Sequence, residues 1–149
     1  MGPPTDAPTG RTGPVDRQTL RLLETHLIDD PLVESTSIDP DPYEPRLLHA
    51  SLDTGRYPES VETVRIDIQW FTSGDFSFHY LETESAGQHW ECRWDRHPNE
   101  HNTRLHFHMP PTGTNVRDIP DLAEHPLEVY STVLTAIDER IETLWSEGE

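Results

Sequence analysis

The chain has 149 residues, enough for one domain, and its 28 acidic residues face 11 arginines and no lysine, for a formal net charge of -17. The electrostatic field of this negative charge repels nucleic acid and anionic membranes in dilute salt. Near 1 M salt the Debye length is only about 3 Å, so this repulsion is largely screened. We therefore interpret the lysine-free acidity as adaptation to molar salt. Because it has one cysteine, no apolar run of roughly 20 residues and no secretory pattern, the chain is expected to be a soluble cytoplasmic protein without an internal disulfide.

The N-terminal end is rich in proline and glycine. Residues 1–15 are predicted to be a disordered tail, and residues 16–149 a single α+β domain. A first helix is predicted to begin after Asp16, an N-cap residue type, because leucines follow it at helical spacing. Its predicted buried positions are Leu20, Leu23, Leu27 and Ile28. Weaker strand patterns cover residues 32–38 and 46–52.

Three clearer strands lie in the middle of the chain. Apolar and polar residues alternate over residues 64–71, 76–81 and 89–95, which is the period of a half-buried strand. Gly74 and Gly87 lie between them, where hairpin turns favour glycine in the left-handed conformation. The pattern predicts an antiparallel meander with one apolar face.

The register of these strands follows from keeping their apolar side chains together, because a one-residue slip would turn every side chain to the other face. The predicted apolar pairs are Trp70 with Phe76, Ile68 with Phe78, and Phe78 with Trp94. The other face then carries two polar rows, one of Asp67, His79 and Arg93, and one of Gln69, Ser77 and Asp95.

Two more elements complete the predicted fold. Residues 105–109 alternate as a short further strand, which would add His106 and His108 to the polar face. A long helix is predicted over residues 125–145. Its predicted buried stripe is Leu127, Tyr130, Leu134, Ile137, Ile141 and Leu144. The predicted fold class is α+β, an antiparallel meander of about four to six strands with the N-terminal and C-terminal helices packed on one face.

The polar face carries groups that suit proton transfer next to a phosphate. Imidazole titrates near neutrality, a carboxylate can orient it, and a guanidinium can bind a phosphate in a bidentate manner. Metal-free RNA cleavage needs a base for the 2′-hydroxyl, an acid for the leaving oxygen and a cation for the phosphorane. The predicted catalytic residues are Arg93, His106, His108, His79 and Asp95. The predicted substrate-binding residues are Arg104, Asp67, His97 and His101, the last two on the loop before the short strand.

Two other interpretations of the same residues stay open. In the first, the face is not catalytic: either it is solvated and its charge pairs stabilise the sheet by a fraction of a kcal/mol each, or it docks a partner and the chain is a non-enzymatic protein-binding module. In the second, the spacing HxxxHxxxxHxH holds a divalent metal, with the ligands His101, His106 and His108; otherwise no cofactor is expected. The remaining groups are assigned to structure, Cys92 to the core, and His26, His49 and His125 to surface or cap positions.

Several short motifs on and next to the strands of the polar face occur in a characteristic order along the chain. They are Phe78-His79-Tyr80, Arg93-Trp94-Asp95, His97-Pro98, His101 and His106-Phe107-His108. In this order they resemble the TumE family of small toxins from toxin–antitoxin modules, and the similarity covers about residue 32 to the final helix. The resemblance implies a toxin that acts on RNA or translation and is held inactive by a cognate antitoxin with a helix-turn-helix. Together with the chemistry of the polar face, it favours a metal-independent ribonuclease.

Overall fold

The computed structural model describes residues 13–41, 43–97, 105–120, 122 and 124–147. Helix α1 (Arg17–Ile28) comes first, helix α2 (Pro126–Glu147) comes last, and a 3-10 turn (Thr54–Arg56) precedes the third strand. Among the described residues, seven strands form one antiparallel sheet whose order in space is the order in sequence. They are β1 (Val33–Asp39), β2 (Leu47–Leu52), β3 (Val61–Trp70), β4 (Phe76–Glu84), β5 (His89–Arg96), β6 (Leu105–Met109) and β7 (Asn115–Asp118).

The predicted α+β class is confirmed, because two helices accompany an antiparallel meander. The predicted strand number of four to six is too low, since the described residues form seven strands. Strand β7 accounts for the difference. It is four residues long, all four are exposed, and its one apolar residue is Val116. A strand without alternating burial gives no periodic signal in the sequence.

Helix α1 begins as predicted. The Asp16 side chain caps it by accepting a hydrogen bond from the backbone N–H of Thr19 at 3.0 Å. Its buried residues are Leu20, Leu23 and Leu27. The predicted burial of Ile28 is wrong, because this side chain is 61% exposed. It follows Leu27 by one residue, about 100° further around the helix, and so leaves the buried face.

The C-terminal end of the predicted tail is bonded to the sheet. The carbonyl of Pro14 accepts a hydrogen bond from the N–H of Thr72 at 2.8 Å, and Val15 forms a β-bridge with Phe71. The prediction of disorder is therefore wrong for Pro14 and Val15, whose backbone groups pair with the chain just after β3. Residues 1–12 of the predicted tail lie outside the described residues.

The register of the meander is the predicted one. The observed apolar pairs are Trp70 with Phe76, Ile68 with Phe78, and Phe78 with Trp94. The rings of Trp70 and Phe76 stack with centroids 4.6 Å apart. Gly74 and Gly87 have φ angles of 92° and 90°, the left-handed conformation that the hairpin turns require. The apolar face forms the core with the two helices, and the polar face lies on the other side.

Helix α2 packs on the apolar face through a stripe that differs from the predicted one. Its buried residues are Val129, Tyr130, Val133 and Ile137. Four residues of the predicted stripe are only partly buried against the core, namely Leu127, Leu134, Ile141 and Leu144. The centre of the stripe therefore lies closer to the two valines. None of the helices in the described part of the chain is long and apolar enough to cross a bilayer.

A charged network also lies in the core, and the sequence pattern did not reveal it. Glu82 of β4 is 0% exposed. Arg140 of α2 donates to both of its carboxylate oxygens, at 2.9 and 2.8 Å, and the Tyr80 hydroxyl donates at 2.7 Å. The guanidinium lies 3.7 Å from the ring centroid of Trp90, and the hydroxyls of Tyr80 and Tyr57 are 2.7 Å apart. The network joins α2 to β4, one of the strands that carry the polar face.

Candidate functional site

The polar face carries two rows of side chains that run across the strands. The first row lies on β2 to β6 and consists of His49, Asp67, His79, Arg93 and His108. The second row lies on β3 to β7 and consists of Gln69, Ser77, Asp95, His106 and Asp118. Directly opposite residues have Cβ atoms about 4.5–5.5 Å apart, so each row is a continuous line of neighbours. Both predicted rows are present, and each continues onto further strands.

Asp95 is at the centre of the face, and its side chain is 1% exposed. Its Oδ2 accepts hydrogen bonds from His108 Nε2 at 3.0 Å and from Arg93 Nε at 3.1 Å. Its Oδ1 lies 3.8 Å from both His97 Nε2 and His106 Nδ1. Burial raises the pKa of Asp95, but the hydrogen bond from His108 and the positive charges of its neighbours outweigh burial and lower it below the ordinary value.

His108 lies between Asp95 and Arg93. Arg93 Nη2 is 3.1 Å from its Nε2 and 3.4 Å from its Nδ1. In the tautomer with its proton on Nε2, the imidazole donates to Asp95, and Nδ1 is the nitrogen that can accept a proton. The carboxylate thereby orients His108 with its basic nitrogen next to the guanidinium.

His79 is oriented by Glu91 and not by Asp67. The distance from His79 Nε2 to Glu91 Oε1 is 2.8 Å. Asp67 instead lies 2.6 Å from His49 Nδ1 and accepts from Arg65 Nε at 3.1 Å. The predicted orientation of His79 by Asp67 is therefore wrong. His49 lies opposite Asp67 on β2, and the carboxylate of Asp67 bonds to His49 instead.

A cavity of about 230 Å³ opens beside Arg93 and His79. Its lining residues are Leu47, Asp67, Gln69, Ser77, His79 and Arg93. The side chain of Arg93 is 38% exposed. Within the described residues, Nη1 of Arg93 has no hydrogen-bond partner, since its contacts use Nε and Nη2. One edge of the guanidinium is thus available to an anion.

The middle of the second row is buried where an open face was expected. Ser77, Asp95 and His106 are all buried. The ring of His97 packs 5.1 Å from that of His106, and His106 Nε2 lies 3.5 Å from Asp118 Oδ1. His106 therefore lies between two carboxylates, under the ring of His97. The expectation of an open face holds near the cavity and is wrong at this end of the sheet.

The predicted site residues fall into three groups. The structure brings together Arg93, Asp95, His97, His106 and His108, with His79 as the neighbour of Arg93. Asp67 lies one strand further away, and Arg104 and His101 lie outside the described residues. Sequence reasoning missed three residues of the polar face, His49, Glu91 and Asp118. Strand alternation could have revealed the first two. Glu91 lies two residues from Arg93 on β5, and His49 lies between two apolar residues of β2, so both point to the polar face.

Both rows lie within the part of the chain that a comparison with protein families identifies. The model of a toxin family, described as Toxin TumE, matches residues 21–141. The chain belongs to the TumE toxin family. No curated protein and no solved structure matches it. As a member of the TumE family the chain is a toxin of a toxin–antitoxin module, and its partner is a cognate antitoxin.

The site of this TumE family member also includes three side chains of types that bind metals in other proteins. Asp95, His97 and His106 each offer one ligand atom, and these atoms lie within 4.8 Å of one another. The group differs from the predicted ligands. His101 lies outside the described residues, and His108 faces the other oxygen of Asp95. Only His106 is common to both sets.

Proposed function

We propose that this TumE toxin is a ribonuclease that cleaves RNA by acid–base catalysis, with Arg93 and its two flanking histidines as the catalytic residues. The observation that carries the proposal is the position of Arg93, which lies opposite His79 on one side and opposite His108 on the other. Each imidazole is bonded to a carboxylate, His79 to Glu91 and His108 to Asp95.

Two imidazoles on either side of a guanidinium suit the transfer of a phosphodiester to a neighbouring hydroxyl. One imidazole removes the proton of the 2′-hydroxyl as its oxygen bonds to phosphorus. The bond from phosphorus to the 5′-oxygen breaks, and the other imidazole protonates that oxygen. Arg93 stabilises the extra negative charge of the phosphorane. The products are a 2′,3′-cyclic phosphate and a 5′-hydroxyl, and no metal takes part in the proton transfers.

The carboxylates support the proposal because they fix the proton positions. Asp95 holds Nε2 of His108, so that Nδ1 faces the guanidinium, and Glu91 holds Nε2 of His79 in the same manner. His106 is buried and faces Asp95 and Asp118. We therefore propose that it positions Asp95 and does not touch the substrate.

The cavity and the exposed edge of Arg93 support RNA as the substrate. A volume of about 230 Å³ next to the guanidinium accommodates a ribose and its phosphate. The net charge of -17 opposes RNA binding in dilute salt. At about 1 M salt the Debye length is about 3 Å, so acidic residues repel only phosphates that lie next to them. The direct contact between a phosphate and the guanidinium of Arg93 is retained.

The partner and the location are part of the proposal. We propose that the cognate antitoxin carries a helix-turn-helix and that the toxin acts in the cytoplasm. Membership in the TumE toxin family supports the antitoxin as a partner. RNA and translation are cytoplasmic targets, so the proposed chemistry supports the location.

Cleavage of a short RNA in molar KCl tests the function. The expected products carry a 2′,3′-cyclic phosphate and a 5′-hydroxyl, and an RNA with one 2′-deoxy position resists cleavage at that position. General acid–base groups contribute about 10²–10⁴-fold to a rate, so His79→Ala and His108→Ala should each lower the rate by at least about 100-fold. Arg93→Lys keeps the charge but loses the bidentate fork and should also lower it.

His89→Ala is the matched control, because His89 is an exposed histidine on β5, away from Arg93. It should cleave like the wild type. If the doubly substituted protein with His79→Ala and His108→Ala cleaves at the wild-type rate, the mechanism is wrong. If the wild type does not cleave RNA at all, the ribonuclease proposal is wrong.

A further inference from the structure

Three side chains converge at the buried end of the polar face. Asp95, His97 and His106 each offer one ligand atom, and these atoms lie within 4.8 Å of one another. His97 Nε2 and His106 Nδ1 are both 3.8 Å from Asp95 Oδ1, longer than a direct hydrogen bond. Ligands about 2.1 Å from a tetrahedral ion lie about 3.4 Å apart. Small side-chain rotations would therefore bring all three atoms onto one ion.

We propose that Asp95, His97 and His106 form a binding site for a divalent transition-metal ion, with zinc as the ion that fits best. Zinc takes nitrogen and oxygen ligands in tetrahedral sites, and sites with three protein ligands keep a fourth position for water or substrate. Magnesium and calcium prefer oxygen ligands, so two imidazoles disfavour both ions.

The groups behind the ligands are a second, independent observation. His106 Nε2, on the side of the ring away from the site, lies 3.5 Å from Asp118 Oδ1. An imidazole that binds a metal usually gives its other N–H to a carboxylate, which fixes the tautomer. Asp95 is supported in the same way, because its Oδ2 accepts from His108 and Arg93. Its Oδ1 is the oxygen that faces the two other ligands.

Charge and burial agree with a cation at this position. Two carboxylates, Asp95 and Asp118, lie next to imidazoles that are neutral when they bind a metal, and the guanidinium of Arg93 offsets part of their negative charge. Asp95 is almost fully buried, and buried charges are paired or bind metals. The ion would join the end of β5 to β6 and hold Asp95 with its Oδ2 towards His108.

This site shares Asp95 with the proposed cleavage chemistry but uses the other oxygen of its carboxylate. The ion would bind Oδ1 of Asp95, whereas His108 is bonded to Oδ2. Neither His79 nor the guanidinium of Arg93 belongs to the ligand set. The two proposals can therefore fail independently, and zinc-free protein is expected to cleave RNA.

Titration of the protein with the metal alone tests the site. Protein treated with a chelator in molar KCl is titrated with Zn²⁺ against a chromophoric indicator, and with Co²⁺ in visible absorption. We expect one zinc per chain and the strong d–d bands of tetrahedral Co²⁺. Asp118→Asn should weaken zinc binding about 10–100-fold, because a carboxylate that accepts from a metal-bound imidazole contributes by that amount.

The ligands are tested with His97→Ala and His106→Gln. His97 is 26% exposed, so its removal spares the core, and circular dichroism verifies the fold of each variant. Both should abolish stoichiometric zinc binding, while the exposed His89→Ala should bind like the wild type. Absence of stoichiometric binding in the wild type, or unchanged binding in both ligand variants, would overturn the inference. RNA cleavage measured on the same samples separates the two proposals, since zinc binding without cleavage rejects only the ribonuclease.

Discussion

The buried pair of Glu82 and Arg140 gives the sharpest prediction about stability. Glu82 is fully buried, and both of its carboxylate oxygens accept from the guanidinium. Arg140→Met keeps most of the side-chain volume and removes the charge. The carboxylate then keeps the hydroxyl of Tyr80 as a donor and has no cation. Removing one partner of a buried pair costs about 3–5 kcal/mol, because it leaves an uncompensated charge.

The contact with Trp90 adds to this cost. The guanidinium lies 3.7 Å from the ring centroid, and a desolvated cation–π contact contributes about 0.5–2 kcal/mol. Small domains have unfolding free energies of about 5–15 kcal/mol, so Arg140→Met should remove a large part of the stability. Replacing both partners, with Glu82→Leu and Arg140→Met together, should cost much less than the sum of the single changes.

Urea unfolding in molar KCl, followed by tryptophan fluorescence, measures these differences. Arg65→Met is the matched control, since Arg65 makes an exposed ion pair with Asp67 on the other face of the sheet. An exposed pair contributes about 0–1 kcal/mol, so this variant should be almost as stable as the wild type. If Arg140→Met costs no more than Arg65→Met, or if the double variant loses the full sum, the assignment of a coupled buried pair is wrong.

Two further predictions concern charge. The melting temperature should rise between about 0.1 and 1 M KCl, because the Debye length shrinks from about 10 to about 3 Å and screens the repulsion among the acidic residues; a flat or falling curve would contradict the adaptation to salt. Burial raises the pKa of Cys92 from 9.0 to about 12, so at pH 8 the folded protein should react with a thiol reagent about a thousandfold more slowly than the chain in urea. The pKa of the Cys92 thiol is higher in the folded than in the unfolded protein, so folding favours the protonated thiol. The stability that this preference gives is fully present below pH 9 and is lost as the pH rises towards 12. Equal rates in the two states, measured by release of the chromophore, would show that Cys92 is exposed.

The meander could be predicted because its strands alternate strictly. Trp70, Phe76 and Trp94 can share a face in one register only, and this register also fixes the polar neighbours of each strand. The rows containing His79 and Ser77 followed from that constraint. Strand β7 has no such alternation, so its pairing with β6 could not be derived from local pattern.

Contacts between distant charges could not be predicted in the same way. Glu82 continues the inward alternation of Phe76, Phe78 and Tyr80 in β4, but alternation does not identify the partner of a buried carboxylate. Its partner Arg140 lies 58 residues further along the chain, on the helix that crosses the core side. Sequence spacing cannot choose that arginine from the others, because the choice depends on how α2 packs against the sheet.

Side-chain parity gives the face of a residue and not its depth, and this difference divides the candidate site. Arg93 and His106 both lie on the polar face. Arg93 is exposed beside the cavity, whereas His106 is buried between Asp95 and Asp118. An exposed guanidinium can contact a phosphate, whereas a buried imidazole between carboxylates can hold an ion or orient a carboxylate. Asp95 connects the two regions, with Oδ2 towards His108 and Oδ1 towards His106. Asp95→Asn should therefore weaken both zinc binding and RNA cleavage, whereas His97→Ala should weaken zinc binding more than RNA cleavage.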